Sequence, residues 1–168
     1  MSRLLLLRHA KAGWAEPGMR DFDRPLDATG RADAEAIGAL LGETAPTPDL
    51  IVCSTARRAR ETLDGVPPHI KDTVKTVFTD GLYSTDATGY VEVIREAGKA
   101  ETMLLIGHNP MMEDVAFALY DEGEQAAKDA LLSGFPTSGL AVIRFANGLH
   151  NAAPGKGFLE AFFTPASG

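Results

Sequence analysis

Short apolar runs alternate along this chain with segments whose apolar residues recur at helical spacing. Runs of this kind, bounded by polar or turn-forming residues, are typical of buried strands. Four strands are predicted, over residues 4–7, 50–54, 74–78 and 102–107, and two further apolar stretches, at 140–145 and 157–163, close the chain. Strands that alternate with helices form a largely parallel sheet with helices on both faces. The sequence therefore predicts an α/β fold, a three-layer α/β/α sandwich with a mostly parallel central sheet.

Three segments between the strands have apolar residues spaced for one buried helix face. These residues are Ala34, Ile37, Leu40 and Leu41 in the first segment, Ala87, Tyr90, Val91 and Ile94 in the second, and Met112, Val115, Ala116, Leu119 and Tyr120 in the third. Asp27 precedes the first segment as a plausible helix N-cap. Residues 121–139 are polar and contain glycine, which indicates a surface excursion.

Composition and charge limit the classes of protein to which the chain can belong. Its 168 residues, 45% of them hydrophobic, predict one domain over residues 1–168. The formal net charge of −7 argues against nucleic acid or an anionic membrane as the main partner. Cys53 is the only cysteine, so no intramolecular disulfide can form, and the leucine run at 4–7 is too short for a signal peptide or a membrane span. We therefore expect a cytoplasmic enzyme or binding protein.

Polar residues with chemical potential follow two of the predicted strands directly. Arg8 and His9 come after the first strand, and His108 and Asn109 come after the fourth. Open α/β sheets bind ligands at the carboxyl ends of their strands, so we expect both histidines in one pocket. Pro110 suits a first helical position, which would leave the backbone amides there free to meet an anion.

The second predicted strand leads into an arginine-rich helix start, "TARRARET", with Arg57, Arg58 and Arg60 in its first turns. Positive charges at a helix N-terminus oppose the helix dipole, at a cost of about 0.3–1 kcal/mol each. Three arginines there indicate a bound anion. Because a guanidinium forks naturally onto phosphate oxygens, phosphate is the anion that this pattern favours.

Five segments resemble the motifs of the histidine phosphatase superfamily, which has the phosphoglycerate-mutase-like fold, and above all its SixA-type phosphohistidine phosphatases. They are "LLLLRHAKAGW", "DFDRPLDATGRADA", "STARRARET", "GLYSTDATGYVEVIREAG" and "LLIGHNPMMEDVA", in the order of the family. The family's pattern of a serine, three residues and Arg-Ala matches Arg58, with Arg57 and Arg60 as its neighbours. Ala10 stands where the broader family has glycine, a change that the SixA branch tolerates.

The resemblance implies a phosphatase that needs no metal and no cofactor. It implies that His9 is the nucleophile and forms a phosphohistidine intermediate. Arg8, Arg58 and His108 would surround the transferring phosphoryl group, and Asn109 would add a backbone amide. Fixed cations in a partly desolvated pocket stabilise the charge on the equatorial phosphoryl oxygens, so these residue types suit the reaction.

The substrate depends on whether a carboxylic acid can protonate the leaving group. Many members of the superfamily use such an acid, and its candidates here are Asp80, Asp86 and Glu113. Without one, the sequence favours a substrate that leaves easily, such as phosphohistidine in a protein. Two alternatives stay open: a phosphatase for small phosphate esters, and a non-catalytic phosphate-binding regulatory module.

The remaining notable residues have simpler interpretations. We expect the loop over residues 11–24 to cover the mouth of the pocket, with Trp14 either a lid residue or a packing residue. His69 and His150 lie in loop-like stretches and are expected to be solvated. No pair of histidines has the short spacing of a zinc motif, and Cys53 within "LIVCS" is expected to be a small core residue.

Overall fold

Seven strands form one sheet in the computed structural model, which describes residues 1–167. The strands are β1 (Ser2–Arg8), β2 (Leu50–Ser54), β3 (Lys75–Thr79), β4 (Thr102–Gly107), β5 (Tyr120–Gly123), β6 (Leu140–Phe145) and β7 (Gly157–Phe163). Their order across the sheet is β3-β2-β4-β1-β6-β7-β5. Only β6 runs antiparallel to its neighbours, β1 and β7, among the described residues, and the other pairs are parallel. The predicted mostly parallel sheet is confirmed.

Helices cover both faces of this sheet. Within the described range they are α1 (Ala28–Gly38), α2 (Arg57–Leu63), α3 (Pro68–Lys71), α4 (Ala87–Arg95), α5 (Met111–Leu119) and α6 (Gln125–Leu132). The first three pack in one hydrophobic cluster with one face of the sheet, and the last three pack in a second cluster with the other face. The three-layer α/β/α architecture predicted from the sequence is therefore present. None of the helices in residues 1–167 is long and apolar enough to cross a membrane.

The leucine run of β1 is explained by its place in the middle of the sheet. Leu4 and Leu6 belong to the cluster that includes α4 and α5, and Leu5 and Leu7 belong to the cluster that includes α1 and α2. All four side chains are buried, with at most 2% of their surface exposed. Because both faces of the strand are covered, the run is continuously apolar rather than alternating.

Residues 121–139 are not the simple surface excursion that the sequence predicts. The segment contains most of β5 and all of α6, and Tyr120 begins β5 instead of ending the preceding helix. The strand is short, and its middle residues, Asp121 and Glu122, are exposed, so it has no apolar run. Only Ala127 and Leu131 of α6 are buried, which leaves a weak helical pattern. Packing against β7 stabilises both elements despite their polar sequences.

Smaller corrections concern the ends of elements. The third strand lies one residue later than predicted, at Lys75–Thr79. Helix α1 ends at Gly38, and Leu40 and Leu41 are buried in the turn that follows it. The predicted cap of this helix is confirmed, because the Asp27 side chain accepts a hydrogen bond of 2.7 Å from the Gly30 amide.

The carboxyl ends of β1, β4 and β2 lie side by side. Arg8 is in register with Gly107, and Cys53 is in register with Ile106. The His9 amide then donates to the Gly107 carbonyl at 3.0 Å, so the residues after β1 and β4 stay adjacent beyond the strands. The fold therefore brings the two strand-end histidines together, as the sequence predicts.

Gly30 fixes how the loop after β1 crosses the start of α1. A Cβ atom at this position would overlap the carbonyl group of Lys11, and the same carbonyl accepts a hydrogen bond from the Asp27 amide. The glycine of the "DATG" sequence is therefore required by a backbone contact and not by an unusual φ angle.

We expect Gly30→Ala to lower the free energy of unfolding by about 1–3 kcal/mol, the usual cost of overpacking. This reverses the normal effect inside a helix, where alanine is more favourable than glycine by up to about 1 kcal/mol. Urea unfolding monitored by circular dichroism measures the difference. The matched control is Thr29→Ala, at an exposed position of the same helix turn, which should change stability by less than about 0.5 kcal/mol. A Gly30→Ala variant as stable as the wild type would contradict the close contact with Lys11.

Candidate active site

The imidazole of His9 is held in one tautomer by the backbone. Its Nδ1 lies 2.7 Å from the carbonyl oxygen of Ala10, and because a carbonyl can only accept a hydrogen bond, Nδ1 carries the proton. Nε2 then keeps its lone pair and accepts a hydrogen bond from Nε of Arg58 at 3.3 Å. The residue is 7% exposed. His9 therefore presents an unprotonated nitrogen to a cationic neighbour.

Thr62 links the segment that follows His9 to helix α2. Its hydroxyl accepts a hydrogen bond of 2.9 Å from the Ala10 amide and donates one of 2.7 Å to the Arg58 carbonyl. The side chain is buried. Arg58 and Thr62 lie one helical turn apart, so the two hydrogen bonds of Thr62 align Arg58 with His9. This alignment explains their four-residue spacing in the sequence.

Arg58 is the member of the arginine cluster that enters the site. Its side chain is 7% exposed and donates from Nε to His9, while its two terminal nitrogens donate to Asp21. Arg57 is exposed and pairs with Glu61 at 2.9 Å, and Arg60 is also exposed. The selection of Arg58 by the family pattern therefore agrees with its position in the fold.

His108 lies against His9, with 5.2 Å between the ring centroids. Its Nε2 is 2.7 Å from the hydroxyl of Ser54, and its amide donates to the hydroxyl of Tyr90 at 2.9 Å. The Tyr90 hydroxyl donates in turn to the Leu82 carbonyl at 2.7 Å. Nδ1 of His108 is buried and has no hydrogen-bond partner within residues 1–167. This nitrogen therefore has an unused hydrogen-bonding position.

The loop between α6 and β6 holds Arg8 in place. This loop and helix α2, which carries Arg58, lie on opposite sides of β1. Its Nη1 donates to the carbonyl of Phe135 at 2.9 Å, and the Phe135 amide donates to the carboxylate of Glu113 at 2.9 Å. Nε of Arg8 is buried without a hydrogen-bond partner in the described part of the chain. Burial lowers the pKa of Arg8, and the nearby Glu113 opposes this effect.

The start of α5 differs from the sequence-based expectation, because Pro110 is the N-cap of the helix and not its first helical residue. The helix begins at Met111, after Pro110, and the Met112 amide donates to the His108 carbonyl at 2.8 Å. The Asn109 side chain accepts from the Glu113 amide at 3.1 Å and donates to Phe135 at 3.1 Å. The Met112 and Glu113 amides in the first turn of α5 are therefore already hydrogen-bonded within the protein and are not free to meet an anion.

Two further residues of the site, Asp21 and Tyr83, were not singled out in the sequence. The Asp21 carboxylate accepts from Arg58 at 3.1 Å and from the Tyr83 hydroxyl at 2.9 Å, and it lies 2.9 Å from Nε of Arg24. The Tyr83 ring packs edge-on against His108, with 5.5 Å between the ring centroids. Both residues lie inside segments that resemble the family's motifs, "DFDRPL" and "GLYS", so this resemblance could have indicated them.

The three carboxylic acids considered as proton donors all have other partners. Asp80 bonds to the hydroxyl of Thr55, and Asp86 caps α4 by accepting from the Gly89 amide. Glu113 accepts from Phe135. Each of these carboxylates therefore serves as a hydrogen-bond acceptor within the fold.

The remaining histidines, the cysteine and the tryptophan lie outside the site. His69 and His150 are exposed, and Cys53 is buried, which raises the pKa of its thiol. Trp14 is 93% exposed, so it is not a packing residue. Within residues 1–167 no group of three or more histidine, cysteine, aspartate or glutamate side chains is placed to hold a metal ion.

Both site histidines are uncharged at neutral pH. Burial is the main cause, and it lowers the pKa of His9 to about 4, with a further contribution from Arg58. Burial also lowers the pKa of His108 to about 3, helped by His9 and Arg58. The fixed positive charges of the site therefore come from its arginines.

The chain is similar to known proteins over nearly its whole length. The family model of the histidine phosphatase superfamily (branch 1) matches residues 4–86. An uncharacterised protein of Mycobacterium tuberculosis (strain ATCC 25618 / H37Rv) is 34% identical over 162 residues, which cover 95% of this chain and 99% of that protein.

Two solved structures, each described as a candidate phosphohistidine phosphatase SixA, are also similar to this chain. The one from Agrobacterium tumefaciens has 42% sequence identity and a TM-score of 0.77, covering 86% of this chain and 92% of that chain. The one from Nakamurella multipartitia has 27% identity and a TM-score of 0.79, covering 98% of this chain and 96% of that chain.

The low pKa values of the two histidines predict a loss of stability in mild acid. In the unfolded chain a histidine binds a proton near pH 6.5, whereas in the fold His9 binds one only near pH 4. The unfolded state binds more protons in between, so stability is complete above pH 6.5 and decreases as the pH falls towards 4. Between pH 7 and pH 5 we expect His9 to account for a loss of about 2 kcal/mol.

Urea unfolding of the wild type and of His9→Asn at both pH values measures this contribution. The loss between pH 7 and pH 5 should be smaller in His9→Asn than in the wild type. His150→Asn is the control, because its exposed ring meets solvent in both the folded and the unfolded state. An equal loss in wild type and His9→Asn would mean that His9 is not held neutral by the fold.

Proposed function

This chain belongs to the histidine phosphatase superfamily and is a phosphatase, and we propose that it hydrolyses phosphohistidine in proteins with His9 as the nucleophile. The observation that carries this proposal is the hydrogen bond between Nδ1 of His9 and the Ala10 carbonyl. It leaves Nε2 with a lone pair beside the Arg58 guanidinium, where a phosphoryl group would be attracted.

The proposed reaction has two steps, each a displacement at phosphorus. Nε2 of His9 attacks the phosphoryl group, the bond from phosphorus to the substrate's imidazole nitrogen breaks, and its electron pair leaves with that nitrogen. A water molecule then attacks the phosphoryl group on His9, releasing inorganic phosphate and restoring the Nε2 lone pair. The attacking and leaving atoms lie roughly in line in each step.

Arg8, Arg58 and His108 would stabilise the charge on the phosphoryl oxygens. The Ser54 hydroxyl accepts from the Ala56 amide at 3.3 Å, so its own proton can point to Nε2 of His108. A neutral His108 then carries its proton on Nδ1, the buried nitrogen that has no partner in residues 1–167. This nitrogen could donate to a phosphoryl oxygen without any charge on the ring.

A protein phosphohistidine suits this site better than an ester of a small alcohol. An alkoxide leaving group needs a carboxylic acid, and each of the three candidate carboxylates already accepts a hydrogen bond, from Thr55, Gly89 or Phe135. A non-catalytic phosphate-binding module would have no need of an unprotonated, oriented His9. We further propose a cytoplasmic phosphorylated protein as the partner, which fits the net charge of −7 and the single buried cysteine.

The covalent step can be tested by trapping the intermediate. Wild-type protein quenched during turnover of a histidine-phosphorylated protein should carry an acid-labile, base-stable phosphoryl group that maps to His9. His9→Ala should show neither adduct nor turnover. His108→Ala should form and hydrolyse the adduct slowly, with the label still on residue 9. Label on His108, or normal turnover by His9→Ala, would exclude this mechanism.

The role of Arg58 can be tested within its own helix. Arg58→Ala should lower kcat/KM by about 10²–10³-fold, the usual effect of losing one donor to the transition state. Arg57→Ala and Arg60→Ala are matched controls with exposed side chains and should each change kcat/KM by much less. Similar losses in all three variants would indicate that the arginines form only a diffuse positive surface.

A further inference from the structure

We propose that the carboxylate of Asp21 makes this site selective for phosphorylated imidazoles over phosphate esters, by accepting a hydrogen bond from the protonated ring of the leaving group. This inference rests on the proposed function and names the residue that determines its substrate class. Asp21 would be a specificity residue that touches the substrate, and not the nucleophile or a proton donor.

The Asp21 carboxylate has room for one more hydrogen bond. Its Oδ2 accepts from Tyr83 at 2.9 Å and from Arg58 at 3.1 Å, and its Oδ1 lies 2.9 Å from Nε of Arg24. A carboxylate offers about four acceptor positions, so one on Oδ1 is left. The side chain is 56% exposed, which makes this position accessible from solvent.

Asp21 and His9 share Arg58 as a partner, and this shared contact indicates where the leaving group would lie. Arg58 donates from Nε to His9, from Nη2 to the Asp21 carboxylate and from Nη1 to the Asp21 carbonyl, so the nucleophile and the carboxylate contact different nitrogens of one guanidinium. An in-line reaction places the leaving group on the far side of the phosphoryl group from His9. A phosphoryl group bound along Arg58 would therefore direct its leaving group towards Asp21.

At neutral pH the Asp21 side chain is an ionised carboxylate and not a proton-donating acid. Burial alone would raise its pKa, but the hydrogen bond from Tyr83 and the charges of Arg58 and Arg24 together lower the pKa of Asp21. The charged or titratable groups that face it are Arg24 from its own loop, Arg58 from α2, Tyr83 and, after β4, His108. An ionised Asp21 accepts a proton-bearing nitrogen well and cannot protonate an ester oxygen.

The two substrate classes make opposite demands on such a group. A phosphorylated imidazole leaves readily when its other ring nitrogen carries a proton, because the electron pair of the broken P–N bond then gives a neutral imidazole. Asp21 would hold this ring proton in place by a charge-assisted hydrogen bond, and the proton itself stays on the ring. In an ester the electron pair goes to oxygen, and a nearby carboxylate repels the charge that develops there.

Asp21→Asn tests the proposal because asparagine keeps an acceptor for Tyr83 and Arg58 but loses the charge. With a histidine-phosphorylated protein, kcat/KM should fall about tenfold or more, as expected for one charge-assisted hydrogen bond. With 4-nitrophenyl phosphate, whose leaving group needs no acid, kcat/KM should hold or rise. Asp23→Asn is the matched control, since Asp23 pairs with Arg20 in the same short helical turn.

The pH profile separates selectivity from a merely structural role. In the wild type the basic limb of kcat with the histidine-phosphorylated protein reports loss of the ring proton in the complex, and it should move to lower pH in Asp21→Asn. The acid limb, which depends on His9, should not move with it. Tyr83→Phe keeps the Asp21 charge and should leave the basic limb in its wild-type position.

Each outcome decides between alternatives. Equal losses on both substrates with an unmoved basic limb would overturn the proposal and make Asp21 only a brace for Arg58. Wild-type activity in Asp21→Asn would overturn it as well. A wild type that hydrolyses 4-nitrophenyl phosphate but no histidine-phosphorylated protein would instead refute the proposed substrate, without the variant being needed.

Discussion

The central position of β1 is the constraint on which the arrangement of this protein depends. The strand pairs with β4 on one side and with β6 on the other, and its four leucines are divided equally between the two hydrophobic clusters. A strand fixed on both edges and both faces has little freedom to move. Its last residue, Arg8, and the residue that follows, His9, therefore lie at a well-defined point beside the ends of β4 and β2.

Three uncharged hydroxyl groups hold the residues at these strand ends in place. Thr62 holds the segment after His9, Ser54 holds the ring of His108, and Tyr90 holds the His108 backbone. The Tyr90 hydroxyl also explains the glycine before His108, because a Cβ on Gly107 would lie 2.5 Å from it. These neutral groups position both histidines without adding a negative charge beside the arginines.

Much of this arrangement could be predicted from local sequence patterns, and the exceptions have a common cause. Apolar runs placed the strands, and the strand ends placed His9 and His108, because both signals are contained in a few consecutive residues. The structures of β5 and α6 depend on packing with β7, which no local pattern encodes. The pairing of Asp21 with Arg58 and Tyr83 joins residues 37 and 62 positions apart, so it too requires the folded chain.

The electrostatics of the site follow from the same packing. Burial makes a positive charge on either histidine costly, and the neighbouring arginines increase that cost. The positive charge of the site therefore lies on the guanidinium groups. Those groups are restrained before any ligand arrives, Arg58 by Asp21 and Arg8 by the Phe135 carbonyl. In the proposed reaction a phosphoryl group would meet these restrained cations and an unprotonated His9, whose Nε2 would exchange its hydrogen bond from Arg58 for a bond to phosphorus. Cationic arginines beside two neutral histidines thus give the site an electrostatic character that suits an anionic ligand.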